Sequence, residues 1–136
     1  MRMTDWEERE YGHRAKIGLI VVSSSTVSET RYPRVTSPDI GFFTSRMLIP
    51  PGEALQALTD MERNADRAAE ELASAGVDSI AYCCTVSGAL RGREKDRQFC
   101  RDMAGTWGVP TTSTMLAATE ALQHLGLRRI VVTSPH

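Results

Sequence analysis

The amino-acid sequence predicts an α/β domain with a flavodoxin-like, doubly wound parallel sheet. Short β-branched apolar runs alternate with segments of helical period, which is the pattern of strands joined by crossover helices. The strand segments are nearly continuous in apolar residues, as expected for a sheet that is covered on both faces. With 136 residues, of which 41% are hydrophobic, the chain has the size and apolar content of one domain.

The first part of the chain is expected to form two strands and a short helix. Residues 1–14 are a polar lead-in, and the apolar run Lys16–Val22 is the first strand. Within the hydroxyl-rich loop Ser23–Thr26, either Ser24, Ser25 or Thr26 is expected to cap a short helix that ends near Arg34. A second extended stretch follows within Asp39–Ile49.

The clearest helix is predicted over Glu53–Ala75. Apolar residues recur there at spacings of three and four and form one stripe: Leu55, Leu58, Met61, Ala65, Ala68, Ala69 and Leu72. Gly76 stands where a left-handed residue commonly ends a helix. A third strand is expected at Val77–Cys83, followed by a turn over residues 84–88.

The remaining sequence repeats the alternation of helix and strand. It predicts a helix at Glu94–Thr106, a short strand at Val109–Thr112, a helix from Ser113 or Thr114 to His124, and a fifth strand at Arg129–Thr133. No helix follows that strand to cover its sheet face. We therefore expect residues 15–136 to be a domain truncated at its C-terminus. The alternative is a small domain that forms a homo-oligomer through the uncovered face.

Composition and charge exclude several classes of function. The net charge of −1, with acidic and basic residues interspersed, gives no basis for binding nucleic acid or an anionic membrane. No apolar run approaches the roughly 18 residues of a membrane span, and the polar N-terminus lacks a signal-peptide core, so a cytoplasmic protein is expected. The chain lacks a glycine-rich phosphate loop and has no cysteine or histidine spacing suited to a metal.

Three polar loops are predicted to meet where the strands end: Ser23–Thr26, Cys84–Ser87 and Thr133–His136. Ligands of open α/β sheets bind at this carboxyl edge, and hydroxyl and backbone N–H groups there suit a small carboxylate. Cys84 is the most distinctive residue, because a thiol near N–H groups can be stabilised as a nucleophilic thiolate. The alternative, to which we give equal weight, is that Cys84 has no catalytic role and simply packs in the core as a small apolar residue.

The three cysteines are expected to be free thiols in different surroundings. Adjacent strand residues point to opposite faces, so Cys83 and Cys84 are not expected to bridge each other. Cys84 is predicted at the solvent-facing edge and Cys83 within the packed sheet. Cys100 lies at helical spacing from its apolar neighbours and is expected in or near the core.

Three segments follow one another along the chain: KIGLIVVSSSTVSE, GVDSIAYCCTVSGALRG and GVPTTSTMLAATEALQHLGLRRIVVTSPH. In this order they resemble segments of the Asp/Glu racemase superfamily. The resemblance is strongest to the maleate cis-trans isomerase and arylmalonate decarboxylase branch, and it extends over the N-terminal half of such enzymes.

The resemblance implies one lobe of a pseudo-symmetric, two-lobed enzyme that uses neither a metal nor an organic cofactor. It implies that Cys84 is the first catalytic cysteine. The residues implied to bind substrate are Ser24, Ser25, Thr85, Val86 and His136. Ser25 takes the place of the usual asparagine of this branch, and His136 that of the usual tyrosine.

The implied activity is cis-trans isomerisation or racemisation of a small carboxylate or dicarboxylate. The alternatives are an arylmalonate decarboxylase-like enzyme, in which the first position is usually not a cysteine, and a non-catalytic flavodoxin-like binding module. The chain contains no second strand-C-T or strand-C-G segment. Weak or no activity is therefore expected of these 136 residues alone.

Overall fold

The computed structural model describes residues 11–133, which form a four-stranded parallel sheet with helices on both faces. The strands are β1 (Ala15–Val22), β2 (Ile40–Met47), β3 (Ser79–Cys83) and β4 (Thr111–Ser113). The helices are α1 (Ser28–Val35), α2 (Ala54–Glu62), α3 (Ala65–Ser74), α4 (Thr85–Arg91), α5 (Arg93–Trp107) and α6 (Thr114–His124).

The strand order is β2-β1-β3-β4, and every pairing is parallel. Helices α3 and α5 pack on one face of the sheet, and α1 and α6 lie against the other. The predicted doubly wound α/β architecture is confirmed. Among residues 11–133, no helix is both long and apolar enough to span a bilayer.

The main core lies between the sheet and the pair α3 and α5. Side chains alternate along each strand, and those on this face are buried against the apolar stripe of the helices. Its buried members include Ile20, Met47, Ile80, Tyr82, Met61, Ala68, Ala69, Leu72 and Met103.

The helix predicted over Glu53–Ala75 is divided into α2 and α3. The break occurs at Arg63 and Asn64, where the Asn64 N–H bonds to the Met61 carbonyl at 3.0 Å. The Asn64 side chain also reaches the Asp60 carbonyl, at 3.5 Å. A side chain that bonds to a nearby carbonyl competes with the backbone hydrogen bonds of a helix, and here it accompanies the end of α2. The apolar stripe predicted for one helix is therefore shared between α2 and α3. Leu55, predicted within that stripe, is largely exposed.

Two local predictions around the loops are wrong. Residues 84–88 are not a turn, because Thr85 begins α4 directly after Cys84. The hydroxyls of Ser23–Thr26 do not cap α1, whose N-cap is Val27 without a side-chain cap. The prediction that Ser113 caps α6 is confirmed, since its side chain accepts the Leu116 N–H at 3.1 Å.

The fifth strand predicted at Arg129–Thr133 is absent from the described residues. Val131 and Val132 are exposed, and the segment has no strand assignment. The edge strand β4 has only three residues, so it offers few backbone groups for a further strand to pair with. The terminal residue His136 lies outside the described residues.

The described end of the predicted lead-in packs against the sheet. The Tyr11 hydroxyl accepts a hydrogen bond from the Phe42 N–H at 3.0 Å, and its ring meets Phe43 edge-on. Gly12 has a positive φ of 73° and lies against Gly41, where neither backbone leaves space for a side chain.

Candidate functional site

Strand register brings the first two predicted loops together at the carboxyl edge of the sheet. Val21 pairs with Cys83, so Val22 and the loop Ser23–Thr26 lie beside Cys84. Strand β4 ends at Ser113 on the other side of β3, and the Thr114 hydroxyl donates to the Tyr82 carbonyl at 3.3 Å. This register places the end of β1, and with it the Ser23–Thr26 loop, on the same edge of the sheet as the start of α4.

Cys84 is the N-cap residue of α4 and is buried, with 6% of its surface exposed. Its Sγ lies 3.2 Å from Ser87 Oγ, one helical turn further on. The expectation that Cys84 faces solvent is wrong in this lobe. Alternation along the strand places Tyr82 and Cys84 on the core side and Cys83 on the opposite side.

Cys83 is half-buried and faces α1. Burial raises the pKa of its thiol, while hydrogen bonds with Tyr32 and Ser28 oppose that rise. Cys100, on α5, is buried as predicted. Burial raises its pKa to about 11, and the nearby Asp96 carboxylate adds to the rise. All three cysteines are free thiols.

The loop after β1 is held by Arg46, a residue that the sequence did not single out. Its Nη1 donates to the carbonyls of Ser23 at 2.8 Å and Ser25 at 3.1 Å, and its guanidinium forms an ion pair with Glu29. The Ser23 hydroxyl accepts the Ile49 N–H at 3.1 Å. The loop is therefore fixed to β2 by groups that do not include the predicted Ser24 side chain.

The predicted binding residues differ in what they offer to a ligand. Ser24 and Thr85 are exposed, so their hydroxyls are accessible at the edge. Ser25 is half-buried, and its hydroxyl accepts the Val27 N–H at 3.4 Å. The exposed side chain of Val86 is apolar and provides no hydrogen bond.

The Arg91 side chain is mostly buried and takes part in a network of charged groups. Its guanidinium pairs with Glu62 and with the fully buried Asp96, and Asp96 also accepts a hydrogen bond from Ser113. Arg91 Cζ lies 3.9 Å from the centre of the Phe99 ring. This network joins α4 to α2, α5 and β4, and so fixes the helix that begins beside Cys84.

A pocket of about 300 Å³ adjoins this network. Its polar lining comes from Thr59, Glu62, Ser87, Arg91 and Lys95. Ser87 reaches both this pocket and the Cys84 thiol. Within residues 11–133, no cluster of three or more His, Cys, Asp or Glu side chains is arranged to hold a metal ion.

The fold and the site together define an α/β lobe with a free thiol at the carboxyl end of a central strand. Such a thiol, beside a hydroxyl and backbone N–H groups, can serve as a nucleophile or as an acid and base. The chain belongs to the arylmalonate decarboxylase family, whose sequence model matches residues 17–136.

Individual relatives place the chain near maleate isomerases, as the sequence predicted. The maleate isomerase of Geobacillus stearothermophilus is 28% identical over 134 residues, which cover 89% of this chain and 53% of that protein. The chain thus spans about half the length of the curated relatives that it matches.

Solved structures agree with this placement. The maleate isomerase Iso of Pseudomonas putida S16 matches with a TM-score of 0.73 and 26% identity, over 82% of this chain and 50% of that one. The Nocardia farcinica maleate cis-trans isomerase, a cysteine-to-serine mutant with a covalently bound succinylcysteine intermediate, matches with a TM-score of 0.72 and 26% identity. That match covers 82% of this chain and 49% of the other.

Proposed function

We propose that the protein carrying this chain is a cofactor-independent isomerase or racemase of a small carboxylate, of the maleate isomerase type. Cys84 is its nucleophile or acid/base, and this lobe supplies one side of the active site. The observation that carries the proposal is the position of Cys84, a free thiol that ends β3 and begins α4 beside the Ser23–Thr26 loop.

Two further observations support a covalent role for Cys84. The related Nocardia farcinica enzyme holds a succinylcysteine intermediate, which is a thioether between a cysteine and a four-carbon dicarboxylate. In this chain the Cys84 thiol donates a hydrogen bond to the Ser87 hydroxyl at 3.2 Å, and the same hydroxyl can donate to the sulfur once the thiol has lost its proton.

The proposed reaction on a cis-dicarboxylate begins with addition of the Cys84 thiolate to one carbon of the double bond. An S–C bond forms, and the π electron pair moves towards the adjacent carbon and its carboxylate. Rotation about the resulting C–C single bond follows. The electron pair then returns, the S–C bond breaks, and the trans acid leaves as the thiolate is restored. The cycle consumes no oxidant, reductant or second substrate.

The proposed carboxylate contacts are the accessible hydroxyls of Ser24 and Thr85, the backbone near Ser25 and Val86, and the imidazole of His136. Hydroxyl and N–H donors suit a carboxylate at this edge. A second, facing lobe is proposed to supply the partner acid or base and to exclude water. Its proposed presence agrees with the half-length matches to the relatives.

Arylmalonate decarboxylation is the second candidate, favoured by the family model that matches residues 17–136. A decarboxylase would release carbon dioxide from an arylmalonate, whereas an isomerase would convert maleate without loss of mass. The cysteine at position 84 favours the isomerase, because the resemblance implies that decarboxylases usually lack a cysteine there.

The test is turnover by the intact protein on maleate, related dicarboxylates and an arylmalonate, in parallel with Cys84→Ser. We expect isomerisation of at least one dicarboxylate, a loss of at least about a thousandfold in Cys84→Ser, and little activity of the 136-residue chain alone. Cys83→Ser is the matched control, because it alters the neighbouring thiol, which faces α1 on the opposite side of the sheet. Absence of turnover on every acid, with Cys84→Ser changing only stability, would support a non-catalytic binding module instead.

A further inference from the structure

The thiol of Cys84 has a defined hydrogen-bond partner within its own helix. Cys84 Sγ and Ser87 Oγ lie 3.2 Å apart, and both residues are buried, at 6% and 2% exposure. Although Cys84 is the N-cap of α4, its side chain makes no capping bond to the backbone. The thiol is thus oriented towards a side-chain hydroxyl.

A second buried hydroxyl, that of Tyr82, lies beside this pair. Burial raises the pKa of Tyr82 to about 12, and a hydrogen bond with Ser87 partly opposes the rise. The phenol therefore keeps its proton at neutral pH, and it donates that proton to Glu62 Oε1 at 3.5 Å.

The surroundings of Tyr82 keep its ring in place. The Tyr82 ring is fully buried, meets Phe99 edge-on with centroids 5.0 Å apart, and lies 5.0 Å from Arg91 Cζ. Arg91 is itself anchored to Glu62 and Asp96. The Ser87 hydroxyl therefore lies in a buried, packed region, 3.2 Å from the sulfur, before any substrate binds.

We propose that Ser87 is a positioning residue that orients the Cys84 thiolate through a hydrogen bond from its hydroxyl. The inference rests on the proposed nucleophilic role of Cys84 and adds the group that prepares this thiolate for attack. A hydrogen bond to an anion is stronger than one to a neutral group, so the contact orients the sulfur most firmly when it carries the charge of the attacking thiolate.

The test compares Ser87→Thr with Ser87→Val in the intact protein. These two side chains have the same shape and differ only in a hydroxyl, so any steric effect on folding or access is shared. Ser87 lines the pocket of about 300 Å³, which leaves room for the added methyl group. The measurement is the rate of iodoacetamide labelling at Cys84, with Cys83 as the internal reference.

We expect Ser87→Thr to label Cys84 at about the wild-type rate and Ser87→Val to label it about tenfold more slowly, the ratio that one hydrogen bond to a charged group supplies. Labelling of Cys83 should not differ between them. Equal Cys84 rates in the two variants, or a faster rate with valine, would overturn the proposal. If the branched side chains prevent folding, Ser87→Ala against wild type gives the same comparison.

Substrate is absent from this measurement, so its outcome does not depend on turnover. Failure of the proposed function appears as an inactive intact protein, whereas failure of the Ser87 role appears as equal labelling rates.

Discussion

Asp96 is a fully buried carboxylate that holds three elements together. It accepts hydrogen bonds from Arg91 on α4 and from Ser113 at the end of β4, while its own backbone belongs to α5. A buried charge is tolerated only when it is paired and hydrogen-bonded, and removing one partner leaves the others unsatisfied. The carboxylate thus has a structural role that is separate from the one proposed for the Cys84 thiol.

Replacement of Asp96 by alanine is expected to lower the free energy of unfolding by roughly 3 kcal/mol. The cause is the loss of compensation for the Arg91 guanidinium and the Ser113 hydroxyl. Asp102→Ala is the control, because Asp102 lies on the same helix but is exposed and accepts from the Gln98 side chain. That variant should stay within about 0.5 kcal/mol of wild type in urea unfolding. Equal losses in the two variants would contradict the structural role of Asp96.

At the scale of elements, β1 and α3 approach closely because Gly18 has no side chain. A Cβ at this position would lie 3.1 Å from Leu72 Cδ1 and 3.2 Å from Val77 Cγ2. Leu72 and Val77 are both buried, so neither can move away without disturbing the core. The glycine is needed for packing against the helix, not for an unusual backbone angle.

Gly18→Ala is therefore expected to destabilise the fold by about 1 to 2 kcal/mol through overpacking. Gly105 on α5 provides the matched comparison, because a Cβ there would meet nothing within 4 Å. Gly105→Ala should stabilise the helix by about 0.5 to 1 kcal/mol. Opposite shifts of the two urea midpoints are the expected result, and a stabilising Gly18→Ala would refute the close-packing explanation.

Arg46 shows how one element positions the loop of another. It belongs to β2, yet it donates to two carbonyls of the loop after β1 and pairs with Glu29 on α1. The loop that carries Ser24 and Ser25 is therefore fixed through its backbone, which leaves the Ser24 hydroxyl accessible for a ligand.

At the scale of the whole molecule, the two faces of the sheet are covered unequally. The face under α3 and α5 forms the main core. Between α1 and α6, the other face has a mostly apolar groove of about 290 Å³, with Leu19, Tyr32, Phe42 and Ala81 in its lining. The exposed apolar residues Val131 and Val132 follow α6. Both features leave apolar surface outside the core of this lobe.

The architecture could be predicted from the sequence because it depends on local periodicity. The apolar runs of β1 and β3 and the stripe along α2 and α3 each correspond to a buried face. The division at Asn64 could not be predicted, because it depends on one amide that competes with the backbone. The fifth strand was predicted wrongly, because an apolar run forms a strand only where another strand can pair with it.

The candidate site could be predicted only in part. The end of a strand at Cys83 and the polar loop Ser23–Thr26 could be predicted from the strand segments, whereas the helix that begins at Thr85 was predicted as a turn. The burial of Cys84 also follows from alternation, once Tyr82 is known to face the core. The contacts of Arg46 and Arg91 join residues far apart in the chain, and no spacing in the sequence indicates them.

The central claim, that Cys84 is the reactive thiol of a carboxylate site, is tested most directly by mapping brief iodoacetamide labelling in the native intact protein. Burial raises the pKa values of Cys83 and Cys100, so both are mainly protonated and unreactive at neutral pH. Cys84 is itself buried, so exposure alone would favour the half-buried Cys83. We nevertheless expect Cys84 to be labelled first, as a nucleophilic thiol at the ligand-binding edge would be, and maleate or a related dicarboxylate to slow its labelling selectively. Labelling of Cys83 or Cys100 ahead of Cys84, with the fold intact, would contradict the claim.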